Sequence, residues 1–164
     1  MANIYKHHLI VIPEDDKYNN IVNGIVLSSN VDENIFNIFR PSGGWLKVFE
    51  QLEDQMKHLE RLKYRHILIL IDFDEKFESR YKMFFDEVPS EYLDRVFILG
   101  VNNKEFEDLQ RFFSLSNFEK LAKKLVENCP DSDLSNWKNK HLECNLAEIG
   151  RMKDLGVFDW LFKK

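Results

Sequence analysis

The chain has 164 residues but only two cysteines, Cys129 and Cys144. Two thiols cannot build a disulfide framework or a cysteine-based zinc site, so reduced thiols are expected. With four prolines and six glycines it is neither fibrous nor a low-complexity chain. No apolar run approaches the ~18 residues that a bilayer span requires. The N-terminal MANIYKHHLIVIPEDD has four apolar residues before Pro13 and then three acids, which is neither a signal peptide nor an anchor. A cytoplasmic protein with no membrane attachment is the expectation. Excess positive charge is lacking too: 23 Lys plus Arg stand against 28 Asp plus Glu, a net charge of -5. That argues against gripping nucleic acid by bulk charge, although a bound cation can reverse the local sign. P-loop, G-x-G-x-x-G and nucleophile-elbow patterns are also missing.

What is present is a core. The chain is 44% apolar and holds fourteen Phe. HILILID (residues 66–72) is a continuous β-branched and leucine run, the mark of a strand buried on both faces of a parallel sheet. HLIVI (8–12) and RVFILGV (95–101) have the same character, and IFNIF (35–39) is a shorter fourth strand before the turn-rich PSGG. Helical patterns lie between them. Residues 45–62 place Trp45, Val48, Phe49, Leu52, Met56, Leu59 and Leu62 on one stripe, and residues 17–28 and 77–86 repeat the spacing. The order β-α-β-α-β-α-β implies a mostly parallel, Rossmann-like α/β core of four strands over residues 1–112. Residues 113–164 read as a helical extension packed on that core, through aromatics such as Trp137, Phe158, Trp160 and Phe162.

Ligands in open parallel sheets bind beyond the carboxyl ends of the strands. The first strand delivers Glu14, Asp15 and Asp16 there, and the third delivers Asp72, Asp74 and Glu75. If the two strands are neighbours, their ends lie roughly 5 Å apart. An extended chain would also put Asp72 and Asp74 on one face. Converged carboxylates need protons or a cation, and an all-oxygen set suits Mg²⁺ or Mn²⁺ better than zinc. This points to metal-assisted phosphoryl chemistry with Glu14, Asp72, Asp74 and Asp16 as ligands. The plainer reading is that each acid caps the helix that follows it. Removing these six acids leaves 22 against 23 bases, so the acidity is largely one local cluster.

A Glu after the first strand and a D-x-D after a later apolar strand, here VIPEDD and ILILIDFDE, resemble the two signature segments of the Toprim domain. That domain occurs in topoisomerases, primases and OLD-family nucleases. GVNNKEFEDLQRFF and PSGGW are similar to segments of small stand-alone Toprim-like proteins found beside ATPases in bacterial defence loci. The resemblance covers about residues 8–112. It implies a Toprim-type core with a Mg²⁺-dependent nuclease or nuclease subunit activity on nucleic acid, and an ATPase or other defence-complex partner. Glu14 would act as general acid or base, Asp72 and Asp74 would bind the metal, and Glu107 (or Glu105) would be an accessory acid. One position departs: the family usually has Gly where Asp15 stands. A carboxylate there repels a phosphate unless it binds a second metal. The alternative reading is therefore a Toprim-like binding or assembly subunit without catalysis.

Other residues carry weaker signals. Arg80 and Lys76, close after Asp74, could reach a phosphate. Lys57, Arg61, Lys63 and Arg65 form a basic patch, read as a solvated face or as a phosphate contact. His7, His8, His58 and His66 have no ligand spacing. A phosphorelay receiver would explain acids after strands one and three and Lys104 after strand four, but Asp72 lies 56 residues beyond Asp16, which is long for it. A haloacid-dehalogenase-like phosphatase would need its D-x-D on the first strand. A homo-oligomer is compatible with every reading.

Overall fold

The computed structural model describes residues 2–164. Strands β1 (His8–Pro13), β2 (Phe36–Ile38), β3 (Arg65–Asp72) and β4 (Val96–Val101) form one all-parallel sheet in the order β2-β1-β3-β4. Helices α1 (Asp16–Val26), α2 (Trp45–Met56) and α3 (Phe77–Glu87) connect them. After β4 come α4 (Glu107–Phe113), α5 (Phe118–Val126), α6 (Leu146–Asp154) and α7 (Val157–Leu161). The continuous apolar runs became the three long strands because both faces are covered. Alternate residues Ile67, Ile69 and Ile71 face α2 and α3, while Leu68 and Leu70 face α1 and the C-terminal helices.

Two expected boundaries moved, and the C-terminal helices are divided. The second helix ends at Met56 instead of running to residue 62, and the chain continues in tight turns in which Leu59 N–H reaches Met56 O. Leu59 remains buried there, which is why the helical spacing persists beyond the helix. The short strand begins at Phe36, after a 3₁₀ turn at Glu33–Ile35. The last helical stretch is broken by Gly156 (φ 79), which separates α6 from α7.

The C-terminal extension is continuous with the core. Leu121, Leu125, Trp137, Ile149, Met152 and Val157 share one buried cluster with Leu9, Val11, Leu68 and Phe97. At Gly24 the backbone of α1 comes so close to α5 that an added Cβ would lie 2.7 Å from Ala122 Cβ.

The extension also closes the free edge of β4. Asn145 Oδ1 accepts from Gly100 N–H (2.9 Å) and its Nδ2 donates to Gly100 O (2.7 Å). Glu148 Oε2 accepts from Ile98 N–H (3.1 Å), and Arg151 Nη2 donates to Val96 O (2.7 Å). Side chains three residues apart thus stand in for a fifth strand. An exposed strand edge invites pairing with other chains, and here its polar groups are satisfied from within. Asn145 and Glu148 are each 1% exposed.

Candidate functional site

The sheet order reverses direction between β1 and β3: β2 lies on one side of β1, and β3 and β4 on the other. A crevice at such a switch point is where open α/β sheets bind ligands. Glu14 leaves β1 at this point, its N–H still bonded to Leu70 O (2.9 Å). Its side chain crosses to the neighbouring strand, where Oε2 accepts from Asp72 N–H (2.6 Å). Asp72 ends β3, and its Oδ1 accepts from the Tyr18 hydroxyl (2.8 Å). That hydroxyl, fully buried under α1, also lies 3.0 Å from Ile71 O and accepts from Val101 N–H at 3.0 Å. Glu14 and Asp72 are thus anchored on one oxygen each, by groups from β3 and α1, and β4 holds the Tyr18 hydroxyl in turn.

Both carboxyls resist ionisation. Burial pushes Glu14 up to about 7, with the charges of Asp72 and Asp15 adding to the effect and the Asp72 amide opposing it. Burial likewise raises Asp72 to about 6, against the Tyr18 hydrogen bond, with Asp15 and Asp74 adding repulsion. The Tyr18 phenol is driven well above its ordinary value by burial and by the Asp72 charge, so it stays a donor.

The other expected ligands lie elsewhere. Asp74 does not share a strand face with Asp72. The chain leaves the extended conformation at once, with Asp74 (φ 48) and Glu75 (φ 59) both left-handed. Asp74 Oδ2 turns instead to Arg80 Nη1 (2.8 Å). Arg80 also donates to the Asp72 carbonyl and lies over the Trp45 ring, 4.6 Å from its centroid. At 7% exposure this arginine is not free to meet an incoming phosphate; it holds the β3–α3 turn in place. Lys76 is exposed at the start of α3. Asp16 is exposed in the first turn of α1, and Asp15 caps that helix, its Oδ1 accepting from Lys17 N–H (3.0 Å) and Tyr18 N–H (3.2 Å). The capping reading therefore describes Asp15, and the convergence reading describes Glu14 with Asp72. Among the described residues, no group of three or more His, Cys, Asp or Glu side chains is placed to hold a metal ion.

Glu107 opens α4 and pairs with Lys17 (2.9 Å). Lys17 was not singled out in the sequence, yet its charge bears on Asp72. Tyr18 belongs to no sequence motif either, although a tyrosine on the apolar stripe of α1 needs a buried partner for its hydroxyl. Two further acceptors lie at this end of the sheet. Asn102 and Asn103 follow Val101, the register partner of Asp72, and the Oδ1 of each is buried without a hydrogen-bond partner. The PSGG turn runs beside Glu14, with Gly43 N–H donating to Glu14 O (2.9 Å). Gly43 (φ 83) and Gly44 (φ 143) leave open space where side chains would stand.

The basic patch is remote from this crevice. Arg65 begins β3 and Asp72 ends it, about 23 Å away at strand rise. Arg65 is held by Gln55 and His8, and Lys57 by Asp54. His8 and His66 lie at that same far end, in β1 and β3, and His66 is lowered to about 4 by burial and by neighbouring His7. His7 stacks on Trp160 at 5.4 Å, so this end of the sheet is an aromatic seal. Compared with protein-family models, curated proteins and solved structures, the chain matches none of them.

Proposed function

We propose that the chain is a Toprim-like, Mg²⁺- or Mn²⁺-dependent nuclease or nuclease subunit acting on nucleic-acid phosphodiesters. The observation that carries this reading is the meeting of Glu14 and Asp72 at the β1/β3 switch point. The donors fit a hard cation in part. Glu14 and Asp72 each keep one carboxylate oxygen outside the hydrogen bonds described, and Mg²⁺ typically takes one or two carboxylates with water and phosphate oxygens. Glu14 and Asp72 would hold the ion, and when bound it supplies positive charge at the phosphodiester. Asp74 would join only by leaving Arg80.

The chain's own groups do the rest. Without the ion a Glu14 carboxyl near 7 exchanges a proton at neutral pH; with the ion bound Glu14 would stay ionised and serve as a ligand. Tyr18 fixes the orientation of Asp72. Lys17, half-exposed and paired with Glu107, would be a better cation for a phosphate than the buried Arg80. So small and acidic a chain has little surface for gripping a polynucleotide, which favours work with a partner such as an ATPase, in bacterial defence by the same resemblance. The test is a divalent-metal titration of wild type and Asp72→Ala, then cleavage assays on DNA and RNA. Metal-dependent cleavage that Asp72→Ala abolishes is expected. Full activity in that variant sinks the reading.

A second reading is favoured by Asp15. Its carboxylate fills the α1 N-terminus, where a glycine would leave backbone N–H groups open to a phosphate. A non-catalytic binding or assembly subunit follows. It predicts tight partner binding, no cleavage with any metal, and no effect of Glu14→Ala on that binding.

A further inference from the structure

A cavity of about 120 Å³ lies between the sheet and the helices on the face covered by α1, α5, α6 and α7. Leu9, Leu68 and Leu99 form its floor, Val22 one wall, and Met152 and Phe158 part of its roof. Protein interiors pack with few voids larger than a water molecule, so a void of this size needs an account. Water is a poor one. The space would admit several molecules, but a buried water needs two to four polar partners. The polar side-chain groups in the wall are already engaged. The Tyr18 hydroxyl is held by Asp72 and Val101, Trp137 Nε1–H donates to Leu125 O at 2.8 Å, and the Cys129 thiol donates to the same oxygen at 3.2 Å.

We infer that this cavity is a binding site for a small apolar molecule of about six heavy atoms, an unsubstituted aromatic ring or a short branched hydrocarbon. The size follows from the volume, since an apolar protein cavity of about 150 Å³ takes up benzene or xenon. The exclusion of alcohols and acids follows from the absence of a free hydrogen-bonding group in the wall. The roof offers the way in. Helix α7 has only five residues, is set off from α6 by Gly156, and presents half-buried Phe158 and Leu161. Met152 beside them is an unbranched side chain that reshapes at little cost. The site is independent of the carboxylate chemistry, although the Tyr18 ring that lines it carries the hydroxyl that orients Asp72.

The experiment uses the full chain with benzene as probe and phenol as polar control, read by methyl NMR and thermal unfolding. Benzene should give saturable shifts in the methyls of Leu9, Val22, Leu99 and Met152, and none in Val48 or Ile69 on the opposite face. It should raise Tm by about 3–6 °C at a tenfold excess over Kd. Phenol should do neither. Val22→Phe combined with Leu99→Phe, which together take up most of the space, should fold and lose the benzene response; if that pair does not fold, Leu99→Phe alone, which narrows the space, should weaken the response severalfold. Absence of saturable shifts in wild type overturns the inference. So does phenol binding as tightly as benzene, or a benzene response unchanged in the filled variant.

Discussion

Replacing Glu14 with Gln should stabilise the metal-free protein, and the gain should grow with pH. Burial and the facing charge of Asp72 hold the Glu14 carboxyl near 7 against an ordinary 4.5. Between those values the folded protein binds more protons than the unfolded chain, so stability falls as pH rises. The loss begins near pH 4.5 and is complete above 7. At 1.36 kcal/mol per pH unit the gap corresponds to about 3 kcal/mol. Glu14 is only half-buried, and water screens about half of that, leaving about 1.5 kcal/mol. Gln keeps an oxygen that can accept from Asp72 N–H, so the anchoring bond survives. The repulsion from Asp72 is already contained in that figure. The variant should therefore match wild type near pH 4 and exceed it by about 1.5 kcal/mol, or about 3–6 °C in Tm, near pH 8.

Urea unfolding of both proteins from pH 4 to 8 measures this. The difference between the two curves is the quantity to follow, because His66 works in the opposite sense. With its folded value lowered to about 4, its contribution is lost as pH falls below 6.5, and subtraction cancels it. Divalent metal adds a second arm: at a hundredfold excess over Kd it should raise wild-type stability by about 2.7 kcal/mol at pH 8, and raise the variant far less. A flat difference curve, or a variant less stable than wild type at pH 8, refutes the account of the carboxylate pair.

Two further predictions concern the frame around the site. Asn145→Ala strands both Gly100 N–H and Gly100 O at the buried edge of β4 and should cost about 2–4 kcal/mol by urea unfolding; a cost below about 0.5 kcal/mol contradicts the edge-closing role. Gly100→Ala should not give a folded protein by circular dichroism, since the new Cβ would lie 1.8 Å from Ile71 O on the neighbouring strand; a native spectrum with an unchanged Tm argues against that strand contact.

Much of the fold was written in short-range pattern. Runs such as 66–72, buried on both faces, can satisfy their backbone only in a covered sheet, and three-and-four spacing committed the intervening segments to helices. That alternation also placed Glu14 and Asp72 at strand ends, so the acid-rich end of the sheet could be read directly from the chain. Asp74 could not. Its departure from the strand rests on a left-handed turn, and that turn is held by an arginine clasped between Asp72 and Trp45. The roles of Tyr18 and Asn145 were equally hidden, because each is defined by partners 45 to 83 residues away. Periodicity is a property of neighbours along the chain, and it decided which residues face inward. Which polar groups meet once they are inside depends on strand order and on where the C-terminal helices settle. Only the tertiary structure could therefore pair two carboxyls, remove the third and close the sheet edge.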